Sequence, residues 1–179
     1  NSLRHPSYDY TQPGAYFVTI CAQGGRAVFG QVIDGEMQPN GLGVLAQNGC
    51  EQLATRNLNV SIDVSVVMPN HVHVLLGGSE SFDAKSARLG ATQRRFGESI
   101  PGSLSSLIGG YKSGVTQKAV HRALIPAPPL WQRNFYDRIV RGEAELSRIR
   151  EYIRTNPQRW RDDQLHPHAP PNQFNRTWR

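Results

Sequence analysis

The chain has 179 residues, 38% of them apolar, and 20 Lys plus Arg against 14 Asp plus Glu give it a net charge of +6. That length suits one sizeable core in a single domain. No stretch approaches the ~20 apolar residues that span a bilayer and no signal-peptide pattern opens the sequence, so a soluble, cytoplasmic protein is expected.

Ala15 to Cys21 is aromatic and β-branched behind a Pro-Gly entry and reads as a strand. After Gly24-Gly25, the run Val28 to Ile33 followed by Asp34-Gly35 reads as a hairpin with a tight turn. Apolar residues at 42, 45, 46, 50 and 53 predict a helix over Leu42 to Leu53. Asn59 to Met68 and His71 to Leu76 read as two strands that pair antiparallel across a Pro69-Asn70 turn. Residues 77–102 look like a flexible basic connection, and Ser103 to Val120 resumes helical spacing with Ser103 as cap. Trp131 to Val140 alternates like a strand, and Glu143 to Thr155 is helical until Pro157 stops it. The tail after Trp160, rich in Pro, His and Asn, looks like an extended arm, and there is no internal repeat. Cys21 and Cys50, the only cysteines, lack the Cys-x-x-Cys spacing of zinc or redox sites and read as reduced core residues.

The charge is unevenly placed. Residues 1–80 hold three bases against six acids, whereas residues 81–179 hold seventeen against eight. All but three of the twenty bases are arginine, the side chain that grips phosphate with two parallel hydrogen bonds and stacks on bases. A polyanionic partner follows, although a merely solubilising surface has the same composition.

Met68-Pro69-Asn70-His71-Val72-His73-Val74 places two imidazoles one residue apart on a strand. Alternation sends both rings to one face with Cα atoms roughly 6.6–6.8 Å apart, near enough to converge on one divalent cation. A solvated histidine pair is the plainer alternative. In the late helix, Leu146, Ile149 and Ile153 form the buried stripe, with Tyr152 and Asn156 on its flank near Glu145 and Arg148. A tyrosine there, one turn from an amide oxygen, can aim its phenol at a cleft or simply rest half-buried.

Pro69-Asn70-His71-Val72-His73, Gly110-Tyr111-Lys112-Ser113, Trp131-Gln132-Arg133-Asn134-Phe135-Tyr136 and Tyr152-Ile153-x-x-Asn156-Pro157 resemble, in that order, the single-tyrosine HUH transposases, particularly the REP-associated tyrosine transposases. The resemblance runs from about Tyr8 to Asp162. It implies an α+β, ferredoxin-like βαββαβ sandwich, an antiparallel sheet with helices on one face, spanning residues 1–165, with 166–179 as the arm. It also implies Tyr152 as nucleophile and His71, His73 and Asn156 as metal ligands. Related insertion-sequence enzymes carry Gln at that last position, so Asn156 matches the REP-associated branch.

The expected cofactor is Mg²⁺ or Mn²⁺, with Zn²⁺ as the lesser option. The expected substrate is single-stranded DNA with a hairpin, cleaved and rejoined through a 5′-phosphotyrosine by a monomer or homodimer in the cytoplasm, associated with the nucleoid. Arg88, Arg94, Arg95, Lys112, Arg133, Arg138, Arg141 and Arg148 are the candidate DNA contacts, with Arg148 also suited to favour the phenolate. Trp131 or Phe135 suits base stacking, and Tyr111 is the competing nucleophile. Two other readings stand beside this one. One is a non-catalytic hairpin binder derived from such a transposase; the other is a phosphoesterase that uses histidines as acid and base, with His121, His166 or His168 as partner.

Overall fold

A computed structural model describes residues 14–55, 60–78, 103–126 and 128–175. Six strands and three α-helices occur among them in the order β1 (Ala15–Cys21), β2 (Gly30–Ile33), β3 (Glu36–Pro39), α1 (Gly41–Thr55), β4 (Val60–Val67), β5 (His71–Gly78), α2 (Leu104–His121), β6 (Tyr136–Val140) and α3 (Glu143–Thr155). The main sheet has the order β4-β5-β1-β6 and is antiparallel throughout. With the β2-β3 hairpin set aside, β1-α1-β4-β5-α2-β6 is the expected βαββαβ arrangement.

Local chemistry accounts for the boundaries. Asp34 and Gly35 both take positive φ, 51° and 79°, the pair of left-handed residues a two-residue hairpin turn requires. Asn40 accepts the backbone N–H groups of Leu42 and Gly43 and opens α1. Ser103 Oγ accepts from Ser106 N, as expected of a cap for α2.

The two faces of the sheet are used differently. Tyr16, Val18 and Ile20 of β1 join Val72, Val74 and Leu76 of β5 in a core closed by Leu45, Cys50 and Leu53 of α1 and Ile108, Tyr111 and Val115 of α2. The alternate residues of the same strands, Thr19 and Cys21 on β1 and their partners His73 and His71 on β5, face the other way. There they meet α3, which packs on β4 and β5. Helices on one face thus describes α1 and α2 alone, since α3 covers the opposite face. Both cysteines are buried and free, and burial pushes each thiol up to about 12.

Three expectations change. The strand predicted over Trp131 to Val140 forms only from Tyr136, because Trp131 is buried against Phe29 and Tyr111 and donates Nε1–H to Lys112 O, and it pairs with the sheet only through one bridge to Ala22. The chain after it bends around the Lys112 ammonium, which takes the carbonyls of Gln132 and Asn134 at 2.8 Å and that of Arg133 at 3.4 Å. Within the predicted connection over residues 77–102, positions 77 and 78 complete β5 and 79–102 lie outside the described residues. The arm is folded rather than extended over 166–175: it passes through turns held by Asn172 and Asn175, and Phe174 packs edge-on against Tyr136 at 4.7 Å. Among the described residues, no helix is long and apolar enough to cross a membrane.

Candidate active site

β5 delivers the two histidines already oriented. Asn70 uses its amide N–H groups on Gly25 O (3.0 Å) and Leu165 O (2.7 Å), so its oxygen faces His71 Nδ1 at 2.8 Å. That oxygen only accepts, so His71 donates through Nδ1, and the neutral ring keeps its lone pair on Nε2. His73 Nδ1 is matched by Thr19 Oγ1 at 2.9 Å, which turns the other nitrogen, Nε2, into the same space. The two rings lie 4.4 Å apart, centre to centre. Burial pushes His71 down to about 3, opposed by the Asn156 side chain. His73 is also held well below its ordinary value, by burial first and by the adjacent His71 second. Both imidazoles are therefore neutral at physiological pH, the form in which a histidine can bind a metal.

α3 supplies the opposing wall. Ile153, fully buried, seats the helix, and Arg150 ties it to β4 through a two-pronged contact with Asp63 at 2.7–3.1 Å. Tyr152 and Asn156, one turn apart, then both face the histidines. The Tyr152 oxygen lies 3.4 Å from His73 Nε2 and donates to Asp163 Oδ2 at 3.1 Å, while the ring stands edge-on to Phe17. Burial, then the Asp163 carboxylate, raises the phenol above its ordinary range, and the Asn156 side chain and then Arg159 oppose the rise. Arg148, the expected phenolate-favouring neighbour, instead acts on Glu145 and is exposed; Arg159 is the cation that bears on the phenol.

Asp163 was not among the residues singled out from the sequence. It follows the helix by way of a tight helical turn, Pro157–Asp162, that swings the chain back over the site. No spacing rule links it to Tyr152 or Asn156; the one sequence signal is that Asp162-Asp163 interrupts an arginine-rich stretch. Its Oδ2 accepts Asn156 Nδ2 at 2.6 Å and its Oδ1 accepts Leu165 N at 2.7 Å.

One potential donor atom from each of His71, His73 and Asp163 lies within 4.8 Å of the other two, a group that could hold a metal ion. Two buried atoms beside them, His71 Nε2 and Asn156 Oδ1, have no hydrogen-bond partner. A buried acceptor left unpaired costs ~1–3 kcal/mol, so two pointing into one site fit a cation that takes both lone pairs. Neutral imidazoles with amide or carboxylate oxygens form a donor set that suits divalent cations.

The other candidates fall elsewhere. Arg88, Arg94 and Arg95 lie outside the described residues. Arg133 is exposed at the rim of a cleft of about 230 Å³ lined by Ser105, Ile108, Gly109, Lys112, Asn134 and Phe135. Arg138 is exposed and pairs with Glu145, whose other carboxylate oxygen accepts Arg141 N at 2.6 Å. Tyr111, the competing nucleophile, is buried on the far face and donates to Ala46 O. Trp131 is 6% exposed and has no face open to a base. His121 ends α2, and His166 rests on Trp160, 4.8 Å between ring centres.

No family model matches the chain. A solved REP-associated tyrosine transposase bound to a REP hairpin superposes with a TM-score of 0.56 over 88% of this chain and 74% of that one, at 16% identity, a likeness of fold. A candidate transposase from Deinococcus radiodurans R1 aligns more loosely, at TM-score 0.47 and 17% identity over 84% of this chain and 95% of that one, and carries no weight. In sequence, a Haemophilus influenzae protein described only as uncharacterised is 35% identical over 168 residues, 92% of each chain. At that identity and coverage the chain belongs to the family of the Haemophilus influenzae protein, built on the fold seen in a REP-associated tyrosine transposase.

Proposed function

We propose that the protein cleaves and rejoins single-stranded DNA beside a hairpin, with Tyr152 as nucleophile and a Mg²⁺ or Mn²⁺ ion held by His71, His73 and Asn156. The observation that carries this reading is the Tyr152 oxygen 3.4 Å from His73 Nε2, in a site that leaves His71 Nε2 and Asn156 Oδ1 unpaired. When bound, the ion polarises a nonbridging phosphate oxygen and stabilises charge at phosphorus. The Tyr152 oxygen bonds to phosphorus as the bond to the 3′-oxygen breaks, leaving a 5′-phosphotyrosine and, once solvent protonates the departing oxygen, a 3′-hydroxyl. The phenol proton passes to Asp163 Oδ2, which already accepts that hydrogen bond. The tyrosyl ester preserves the phosphodiester's energy, so a second 3′-hydroxyl reverses the step and joins strands without ATP. Exposed Arg133, Arg138, Arg141 and Arg148, with Arg88, Arg94 and Arg95, supply phosphate contacts from the basic half of the chain. Such a reaction places the protein with the chromosome in the cytoplasm.

Labelled single-stranded hairpin DNA incubated with the protein and Mn²⁺ tests this. The expected result is a denaturant-resistant adduct, mapped by mass spectrometry to the Tyr152 peptide and absent from Tyr152→Phe. Binding with no adduct would replace the enzyme with a hairpin-binding protein. Cleavage that survives Tyr152→Phe would point to histidine acid–base chemistry.

A further inference from the structure

The two proposed ligands on different elements, His71 on β5 and Asn156 at the C-terminal cap of α3, are oriented by one short segment beyond the helix. His71 Nδ1 donates to Asn70 Oδ1, Asn70 Nδ2 donates to Leu165 O, Leu165 N donates to Asp163 Oδ1, and Asn156 Nδ2 donates to Asp163 Oδ2, at 2.8, 2.7, 2.7 and 2.6 Å. Asn70, His71, Asn156, Asp163 and Leu165 are all buried.

We propose that Asp163 is a positioning residue: it fixes which end of the Asn156 amide faces the cation, and with Leu165 it forms a clamp that aims both ligands. The proposal rests on reading this site as a metal centre. The two ends of an asparagine amide are nearly equal in size, so packing alone hardly chooses between them. Hydrogen bonding does, because a carboxylate accepts and does not donate. With Asp163 Oδ2 at 2.6 Å, the Asn156 NH₂ must face Asp163. The flipped amide would set two acceptors against each other there. Asn156 Oδ1 is thereby directed away from Asp163, and it is the amide atom left without a partner, as His71 Nε2 is on the opposing strand. Asp163 is also hydrogen-bonded to Tyr152, so the carboxylate that aims the ligand also holds the nucleophile.

Asp163→Asn retains size but reverses the logic. Its oxygen still satisfies Leu165 N, so its NH₂ faces Asn156, and the Asn156 amide must turn its oxygen away from the ion to meet it. Mn²⁺ affinity is read without DNA, from the electron paramagnetic resonance signal of free Mn²⁺, for wild type, Asp163→Asn, Asn156→Ala and the double variant. The expected result is a roughly ten- to hundredfold loss in Asp163→Asn, the range for removing an outer-shell partner of a ligand. In the Asn156→Ala background the same change should cost less than about twofold, because no amide remains to be aimed. Asn156→Asp combined with Asp163→Asn should restore wild-type affinity or better, since a carboxylate presents oxygen at both ends; if Asp163→Asn alone does not fold, this pair carries the test.

Unchanged affinity in Asp163→Asn, failure of the rescue, absence of Mn²⁺ binding, or a full additional loss in the Asn156→Ala background would each overturn the proposal, the last by showing that Asp163 coordinates the ion itself. A protein that forms no DNA adduct but shows this pattern loses only the strand-joining reading. One that forms the Tyr152 adduct with additive losses loses only this inference.

Discussion

The phenol oxygen of Tyr152 and Nε2 of His73 stand 3.4 Å apart although 79 residues separate them in the chain. β5 presents the imidazole on the face away from the main core, and α3 lies across that face, so a strand and a late helix share one site. The phenol donates its hydrogen bond to Asp163 and is not one of the three proposed ligands. Tyr152→Phe is therefore expected to abolish the adduct while Mn²⁺ affinity stays within about twofold. Loss of one hydrogen bond costs about 1 kcal/mol, which urea unfolding measures.

The cleft between α2 and the segment before β6 should read DNA by charge and stacking. Arg133→Ala is expected to weaken hairpin binding and reduce the salt slope of log Kd by about one, as for one lost phosphate contact. Phe135→Ala should cost ~1–3 kcal/mol if its ring stacks on an unpaired base. Fluorescence anisotropy at several salt concentrations gives both numbers. Arg150, held between Asp63 and Glu143, serves as control: Arg150→Gln should leave the salt slope unchanged.

Lys112 has a different task from the one its charge suggests. Its ammonium gathers the carbonyls of residues 132–134 and lies 5.9 Å from the Phe135 ring centre. Lys112→Met would leave those carbonyls without their cation, at a cost of ~2–3 kcal/mol. Urea unfolding should show that loss, together with weakened DNA binding from a displaced Phe135.

Cys50 gives a pH dependence of known sign. Burial raises its thiol to about 12 in the folded protein, from 9.0 when unfolded. Above pH 9 the unfolded chain sheds a proton that the folded chain keeps, so stability falls as pH rises from about 9 toward 12. Between pH 8 and pH 10 this contributes a loss of about 1.4 kcal/mol, and Cys50→Ala should lack that part. Thiol reagents at pH 8 should label Cys50 only on unfolding.

The local elements were legible because their causes are local. Alternation in Ala15 to Cys21, the Asp34-Gly35 turn, the apolar period of α1 and α2, the Ser103 cap and the proline after α3 all act within a few residues. The 131–135 stretch misled for the same reason. Its alternation is real, yet Trp131 finds more contact in the core between Phe29 and Tyr111 than a sheet edge offers, and Lys112 takes the carbonyls that strand pairing would have used.

By itself the sequence determined the histidine pair on one strand face, the tyrosine one turn before an asparagine, and the basic second half, because period and composition are properties of the chain. Only the tertiary structure decided that α3 crosses the face opposite α1 and α2, that Asp163 returns to bond both Tyr152 and Asn156, and that Lys112 is spent on carbonyls. Those outcomes depend on which surfaces bury one another and which polar groups lose water together. Such a choice is made between segments far apart in the chain, and no spacing within one segment records it.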